Sequence, residues 1–260
     1  MNLTNNYGSF YNELSFFLPK DNIYVDEIRR LAWGTDASFY RLKPQMVVCP
    51  NSEREMISVL RLCDKYNIPI TFRAAGTSLS GQAISDSVLL VTGKNWEKYS
   101  LSENAETITA QCGIVGGRIN QVLSKYARKL GPDPASINSA MIGGIIMNNA
   151  SGMNCGVHEN SYKTIVGARI IFFDGTLLDT MDYKSCESFK QNHSYFIHKI
   201  DEFKTKIRSN TKLTERIKRK YSIKNTTGLS LNAFVDYEDP IQIILHLLVG
   251  SEGTLYAVLY

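Results

Sequence analysis

No two of the five cysteines, Cys49, Cys63, Cys112, Cys155 and Cys186, form a Cys-x-x-Cys pair. The chain therefore offers no ligand set for zinc or for an iron–sulfur cluster, and no metal site is expected. Their odd number, and the apolar settings of Cys49 and Cys63, favour reduced thiols. No apolar run is long enough to span a bilayer. The N-terminal Met1-Asn2-Leu3-Thr4-Asn5-Asn6 lacks a basic stretch followed by an apolar one, so it does not read as a secretion signal. A cytoplasmic protein is expected, or one peripheral to a membrane. Net charge is also small, a formal +4 over 260 residues, which is weak evidence for nucleic acid and suits an anionic ligand. The segment 204–224 is markedly basic while the stretch before it is nearly balanced, and a solvated helical face is the plain reading. No Gly-x-Gly-x-x-Gly opens a helix, which removes most support for a nicotinamide dinucleotide. Thr92-Gly93-Lys94 superficially matches the end of a P-loop. Asn95 stands where Ser or Thr should bind magnesium, however, and Val88 replaces the leading glycine.

What is present is ordinary globular composition, 43% hydrophobic and 21% charged, with ample chain for a core in one large domain or two small lobes. Residues 1–43 mix Phe10, Leu14, Phe16, Phe17 and Trp33 without a clean period and read as a leader packing on the body. Met46 to Cys49 is a short apolar strand closed by Pro50. Ser52 and Glu55 form a capping box, and Met56, Val59, Leu60 and Cys63 follow at helical spacing, so a helix to about Tyr66 is expected. The chain returns as a strand over 68–72. Further strands are expected at 88–91, 107–111 and 168–173, the last turning through Asp174-Gly175 into a hairpin. Helices are expected at 117–129 and 240–249, and a helical, charge-rich insertion at about 185–222.

The strand-helix-strand unit delivers the chain into Arg73-Ala74-Ala75-Gly76-Thr77-Ser78-Leu79-Ser80-Gly81, at the carboxyl end of a strand, where α/β proteins place ligands. A second segment runs from Gly131-Pro132-Asp133-Pro134-Ala135-Ser136 into Ile142-Gly143-Gly144 and Asn148-Asn149-Ala150-Ser151. Small residues let consecutive N–H groups converge on an anion, while Thr, Ser and Asn add polar groups without bulk. Two such segments can clamp one pyrophosphate from both sides, which points to a bound flavin dinucleotide. Among the histidines, His158 follows the second segment and could face the flavin, although for it too a surface or packing role is the plain reading. His193, His198 and His246 lie in charged or amphipathic helical surroundings and read as surface or packing residues.

These segments, with Gly250-Ser251-Glu252-Gly253-Thr254-Leu255, resemble the FAD-binding domain of the vanillyl-alcohol oxidase/PCMH superfamily. The FAD-linked D-lactate, glycolate and D-2-hydroxyglutarate dehydrogenases are the most similar group within it. Ile223-Lys224-Asn225-Thr226-Thr227-Gly228 resembles the long bacterial members fused to an iron–sulfur module. The resemblance implies an α+β, two-lobed fold holding FAD. A small βαβ lobe would span about 44–105, and a larger lobe of antiparallel sheet and helices about 106–260. It also implies site residues. Arg73, Ala74, Ala75, Gly76, Thr77 and Ser78 would line the pyrophosphate with Ala135, Ser136, Ile137, Asn138, Ser139, Ala140 and Met141. Gly143 would permit close backbone approach. Asn148, Asn149, Ala150 and Ser151 would approach the ribityl chain and flavin, Ile165 and Val166 the adenine, and Glu252, Gly253, Thr254 and Leu255 would close the site.

Two departures from the family pattern follow. Thr77 stands where relatives with covalently attached flavin carry histidine, so FAD is expected to be noncovalent. The chain also stops at Tyr260, where relatives continue into a substrate-binding domain, and Tyr256 replaces the usual glycine. The implied function is the FAD-binding part of an oxidoreductase moving hydride from a 2-hydroxy acid to flavin, with its catalytic residues unknown. Two alternatives stand beside it. One is a module inactive alone that needs a separate substrate-binding chain. The other is an NADPH-fed flavin reductase on the same fold. The expected partners are a small 2-hydroxy acid and a separate electron acceptor or iron–sulfur protein, with no nucleic acid.

Overall fold

The computed structural model describes residues 5–226, 228–253 and 256–258. Helix α1 (Asn5–Leu14) and strand β1 (Ile23–Tyr24) come from the N-terminal stretch, followed by α2 (Glu27–Ala32). Tyr7, Phe10, Tyr11 and Leu14 fall at i, i+3, i+4 and i+7, a helical stripe. Phe10 and Leu14 are completely buried against α3 (Glu53–Tyr66). β1 pairs antiparallel with β2 (Met46–Val48), so this stretch adds a strand to the first sheet.

α3 starts where the capping box predicts. Ser52 Oγ accepts from the Glu55 N–H at 3.3 Å, whereas the Glu55 carboxylate reaches back to the Asn51 N–H, one residue before the expected partner. Met56, Val59, Leu60 and Cys63 form its buried stripe. Asn67 ends it in the left-handed region at φ 51°, and the Ile68 N–H caps the Cys63 carbonyl at 2.8 Å. Pro69 cannot rejoin the helix, and β3 (Ile70–Arg73) pairs parallel with β4 (Val88–Val91). The sheet order is β1-β2-β4-β3. Its central strands β2 and β4 are buried on both faces, which is why they read as continuous apolar runs.

β5 (Tyr99–Leu101) and β6 (Ile108–Ala110) form a hairpin. α4 (Gly116–Leu123) continues only as a 3-10 turn to Tyr126, where Ala127 at φ 52° ends it, short of the expected Lys129. The Ile142-Gly143-Gly144 run is not a loop. It forms α5 (Ile142–Met147), which packs with Ile114, Ile119 and Leu123 in a small separate core.

After α6 (Ser161–Thr164), β7 (Arg169–Phe172) turns through Gly175, φ 80°, into β8 (Leu177–Asp179). The expected helical stretch forms α7 (Tyr183–Asn192), α8 (Ser194–Ser209) and α9 (Thr211–Tyr221). Then come α10 (Ala233–Asp236) and α11 (Pro240–Leu248), whose Ile241, Ile243, Ile244, Leu245 and Leu248 anchor a third core. β9 (Tyr256–Val258) completes the antiparallel order β8-β7-β9. Ile171 of β7 lies in the same core as α3 and β2, so the two sheets share packing. Arg169 forks onto both Glu53 oxygens, each at 2.7 Å, and adds Asp179 at 3.2 Å.

Candidate functional site: a groove between the two glycine segments

A groove opens at the carboxyl ends of β3 and β4. On one side stands the chain leaving β3, from Arg73 to Ser78. Opposite are Ser136, Ala140, Met141, Gly143, Gly144, Asn148 and Ala150, with Glu252 and Gly253 at one end. The backbone amides of residues 75–78 donate no hydrogen bond among the described residues, whereas the Gly76 carbonyl accepts from the Ala37 N–H. A row of free N–H groups on small residues is an anion cradle. Gly76 sits at φ 71°, a conformation that permits the row to bend.

Arg73 supports that row from below. Its Nη1 donates to the carbonyls of Thr35 at 2.7 Å and Ala83 at 3.1 Å, and the guanidinium lies 5.0 Å from the Trp33 ring centroid. Its Nε is buried without a partner among the described residues. Burial lowers the Arg73 pKa, which the charge of Asp36 partly offsets.

The far wall is equally small. A Cβ on Gly143 would lie 2.8 Å from the Cys112 Cβ, so this glycine permits helix–body packing. Gly144 faces Ala74 with nothing closer than 3.8 Å, which keeps the groove open. Glu252 adopts φ 55° and its N–H donates to the Met147 carbonyl at 2.8 Å. Burial raises its carboxyl pKa above the ordinary carboxylate range. Burial also pushes the Cys112 thiol up to about 12, so it stays protonated.

Fourteen of the expected site residues line this groove: Arg73, Ala74, Ala75, Gly76, Thr77, Ser78, Ser136, Ala140, Met141, Gly143, Asn148, Ala150, Glu252 and Gly253. Ala135, Ile137, Asn138, Ser139, Asn149, Ser151, Ile165 and Val166 do not. Ile137 and Asn138 abut Gly116 and Gly117, Ile165 packs into the third core, and Val166 is exposed. Thr254 and Leu255 lie outside the described residues. His158 is exposed and does not line the groove. Sequence reading missed Phe72, Gln82, Ala83, Thr92, Cys112, Ile145 and Met147 as lining residues. Thr92 immediately follows β4, so the rule that ligands sit beyond strand carboxyl ends would have found it.

The comparisons with known proteins decide the family. The FAD binding domain model matches residues 44–181. The chain belongs to the FAD binding domain family. Its cofactor is accordingly FAD. D-2-hydroxyglutarate dehydrogenase of Haemophilus influenzae is 25% identical over 243 residues, covering 87% of this chain and 23% of that protein. Glycolate oxidase subunit GlcD of Escherichia coli is 29% identical over 143 residues, covering 54% of this chain and 29% of the subunit. The chain thus spans less than a third of the length of either. Among solved structures, an alkyldihydroxyacetonephosphate synthase superposes with a TM-score of 0.58 at 22% identity. That match covers 71% of this chain and 36% of the synthase, and it shows the fold. No helix among the described residues is long and apolar enough to cross a membrane.

Proposed function

We propose that the groove holds the FAD pyrophosphate, and that the chain is the flavin-binding part of an oxidoreductase acting on a 2-hydroxy acid. One observation carries the placement: the unpaired amides of residues 75–78 lie beside the buried, unpartnered Arg73 Nε. An unpaired buried donor such as Arg73 Nε is costly, and an anion on the half-exposed amides beside it would gain several charge-assisted hydrogen bonds at once. On this reading Asn148 and Ala150 face the ribityl chain, Glu252 closes one end of the groove, and Thr77 leaves the flavin noncovalent. Bound FAD supplies the hydride acceptor, and the protein supplies orientation and electrostatics. The substrate class rests on the names of the relatives.

A second reading, that the chain needs a separate substrate-binding polypeptide to turn over, is favoured by how little titratable chemistry the groove walls carry. Their titratable side chains among the described residues are Arg73, Cys112 and Glu252, and no histidine is among them. Glu252 is then the one carboxyl of these walls that could accept a carbinol proton. The electrons would pass to a separate acceptor, an iron–sulfur protein being the one the resemblance implies.

Titrating the apoprotein with FAD tests the placement. Saturable quenching of flavin fluorescence is expected, and its loss in Gly144→Leu with unchanged circular dichroism. Full FAD affinity in that variant would move the cofactor out of the groove.

A further inference from the structure

A second cavity lies behind the turn at 148–150. Asn149, Lys218 and Tyr221 line it, whereas Asn148 and Ala150 line the groove. The C-terminal end of α9 therefore stands one turn of backbone from the groove wall, and just beyond it Lys224 Nζ donates to the Ser151 carbonyl at 3.1 Å.

α9 carries the net charge of the whole chain. Its 11 residues hold five cations, Lys212, Arg216, Lys218, Arg219 and Lys220, and one carboxylate, Glu215. Of the 29 basic and 25 acidic residues in the sequence that leaves 24 of each, so everything outside α9 is balanced. All five cations are exposed, and none has an ion-pair partner among the described residues. On the adjoining α8, by contrast, Lys199, Lys204 and Arg208 pair with Glu202, Asp201 and Glu238.

Lys212, Arg216, Arg219 and Lys220 recur at i, i+4, i+7 and i+8, one stripe turned away from the buried Ile217. The arrangement works against the helix. Like charges repel at i, i+4 in Lys212–Arg216 and again in Arg216–Lys220, and Lys212 sits in the first turn, where the helix dipole disfavours a cation. Attraction to the dipole accounts for the cations of the last turn but for neither Lys212 nor Arg216. Helix stability therefore does not explain the stripe, and a partner that supplies the missing carboxylates does.

The form of the stripe narrows that partner. α9 is about 16 Å long. With the rest of the chain balanced, no longer basic track is there for a nucleic acid backbone to follow. Its one aromatic residue, Tyr221, is turned inward, the hydroxyl donating to the Leu229 carbonyl at 2.7 Å, so nothing on the stripe is placed to stack on bases. Leu213 is its only exposed aliphatic side chain, too little apolar surface to enter a bilayer. A compact acidic patch on a protein fits.

We propose that this stripe of α9 docks a soluble electron-carrier protein through an acidic patch on the carrier. The partner's role rests on the function proposed above, in which electrons leave for a separate acceptor, while the docking face rests on α9 alone. A carrier placed there would sit beside the wall that Asn148 and Ala150 form.

Calorimetric titration with a small acidic plant-type ferredoxin tests it, on the apoprotein and on protein incubated with FAD. Saturable binding is expected at low ionic strength, weakened about tenfold or more by high salt and in Lys212→Glu/Arg216→Glu. That variant should bind FAD as the parent does. It should also unfold at an equal or higher urea concentration, because an acid at 216 attracts Lys220 and one at 212 suits the first turn. Ferredoxin binding that is absent, or equal in parent and variant, would overturn the docking face. Equally tight binding of a basic cytochrome c would show that an acidic patch is not what the stripe reads. Tighter, charge-sensitive binding of duplex DNA or of phosphatidylserine vesicles would overturn the choice of a protein. Loss of FAD binding with ferredoxin binding retained would overturn the carrier's role and the flavin reading together, and leave a docking face for an acidic protein.

Discussion

A Cβ built on Gly76 would lie 2.5 Å from Arg73 Nη2. The glycine rests directly on the guanidinium, so its missing side chain makes room for Arg73 rather than for a phosphate, as a bare glycine-loop reading would have it. The amide row above keeps its course because the arginine below is fixed to Trp33, Thr35 and Ala83.

Gly76→Val should therefore act through Arg73. A β-branched residue at φ 71° is strained, and the displaced guanidinium would shift the amides of residues 75–78. FAD affinity should fall by about tenfold or more, equivalent to about 1.4 kcal/mol. Fluorescence titration measures this, and circular dichroism should remain close to that of the parent. Unchanged affinity would separate the first loop from the cofactor.

Arg73→Met should lower stability by about 1–3 kcal/mol, because it strips a donor from three carbonyls at once. Arg73→Lys should recover only part of this, since an ammonium cannot reproduce the planar fork. Urea denaturation of the three proteins orders them. Equal midpoints for the lysine and arginine forms would show that charge alone matters.

Flavin should leave the protein without breaking a covalent bond. Thr77 offers no nucleophile like the linking histidine, so acid precipitation after loading should leave the yellow colour in the supernatant. Colour retained by the pellet would point to an attachment residue elsewhere.

His246 should make the fold acid-sensitive. It is buried, stacked on Tyr237 at 3.9 Å, and its Nδ1 lies 2.8 Å from the Gln242 carbonyl. Burial lowers its pKa from 6.5. The unfolded chain therefore takes up a proton on this ring before the folded one does. The stability it contributes is complete above about pH 6.5 and is lost as pH falls from there through the lowered folded value. Melting temperature should drop over that window, and the drop should shrink in His246→Gln. A pH profile identical in both proteins would assign the acid sensitivity to other groups.

Much of the fold was legible because it is written in short-range terms. Ser52, Glu55 and the Met56-Val59-Leu60-Cys63 stripe define α3, and the apolar run 88–91 defines β4. Helix α1 escaped because the exposed Phe16 and the poorly covered Phe17 follow its stripe and blur the period. Gly143 and Gly144 read as loop residues, yet packing of Gly143 against Cys112 draws the run into α5 despite its low helix propensity. The strand-end rule puts Arg73 to Ser78 at the carboxyl end of β3, where they form one wall of the groove. It said nothing about which side of the 135–151 segment faces that groove. Ile137, Asn138 and Asn149 turned to pack elsewhere because α4 and the second cavity claim them.

The fork from Arg169 to Glu53 bears on the entropy of binding. It and the shared Ile171 core tie the two sheets together, so the slot between the glycine segments should be preformed. A preformed slot spares the ordering entropy that a hinged one would lose on closing. Deuterium uptake should then slow on loading at the amides of residues 75–78 while β7 and α3 exchange as before, and small-angle scattering should give one radius for the empty and the loaded protein.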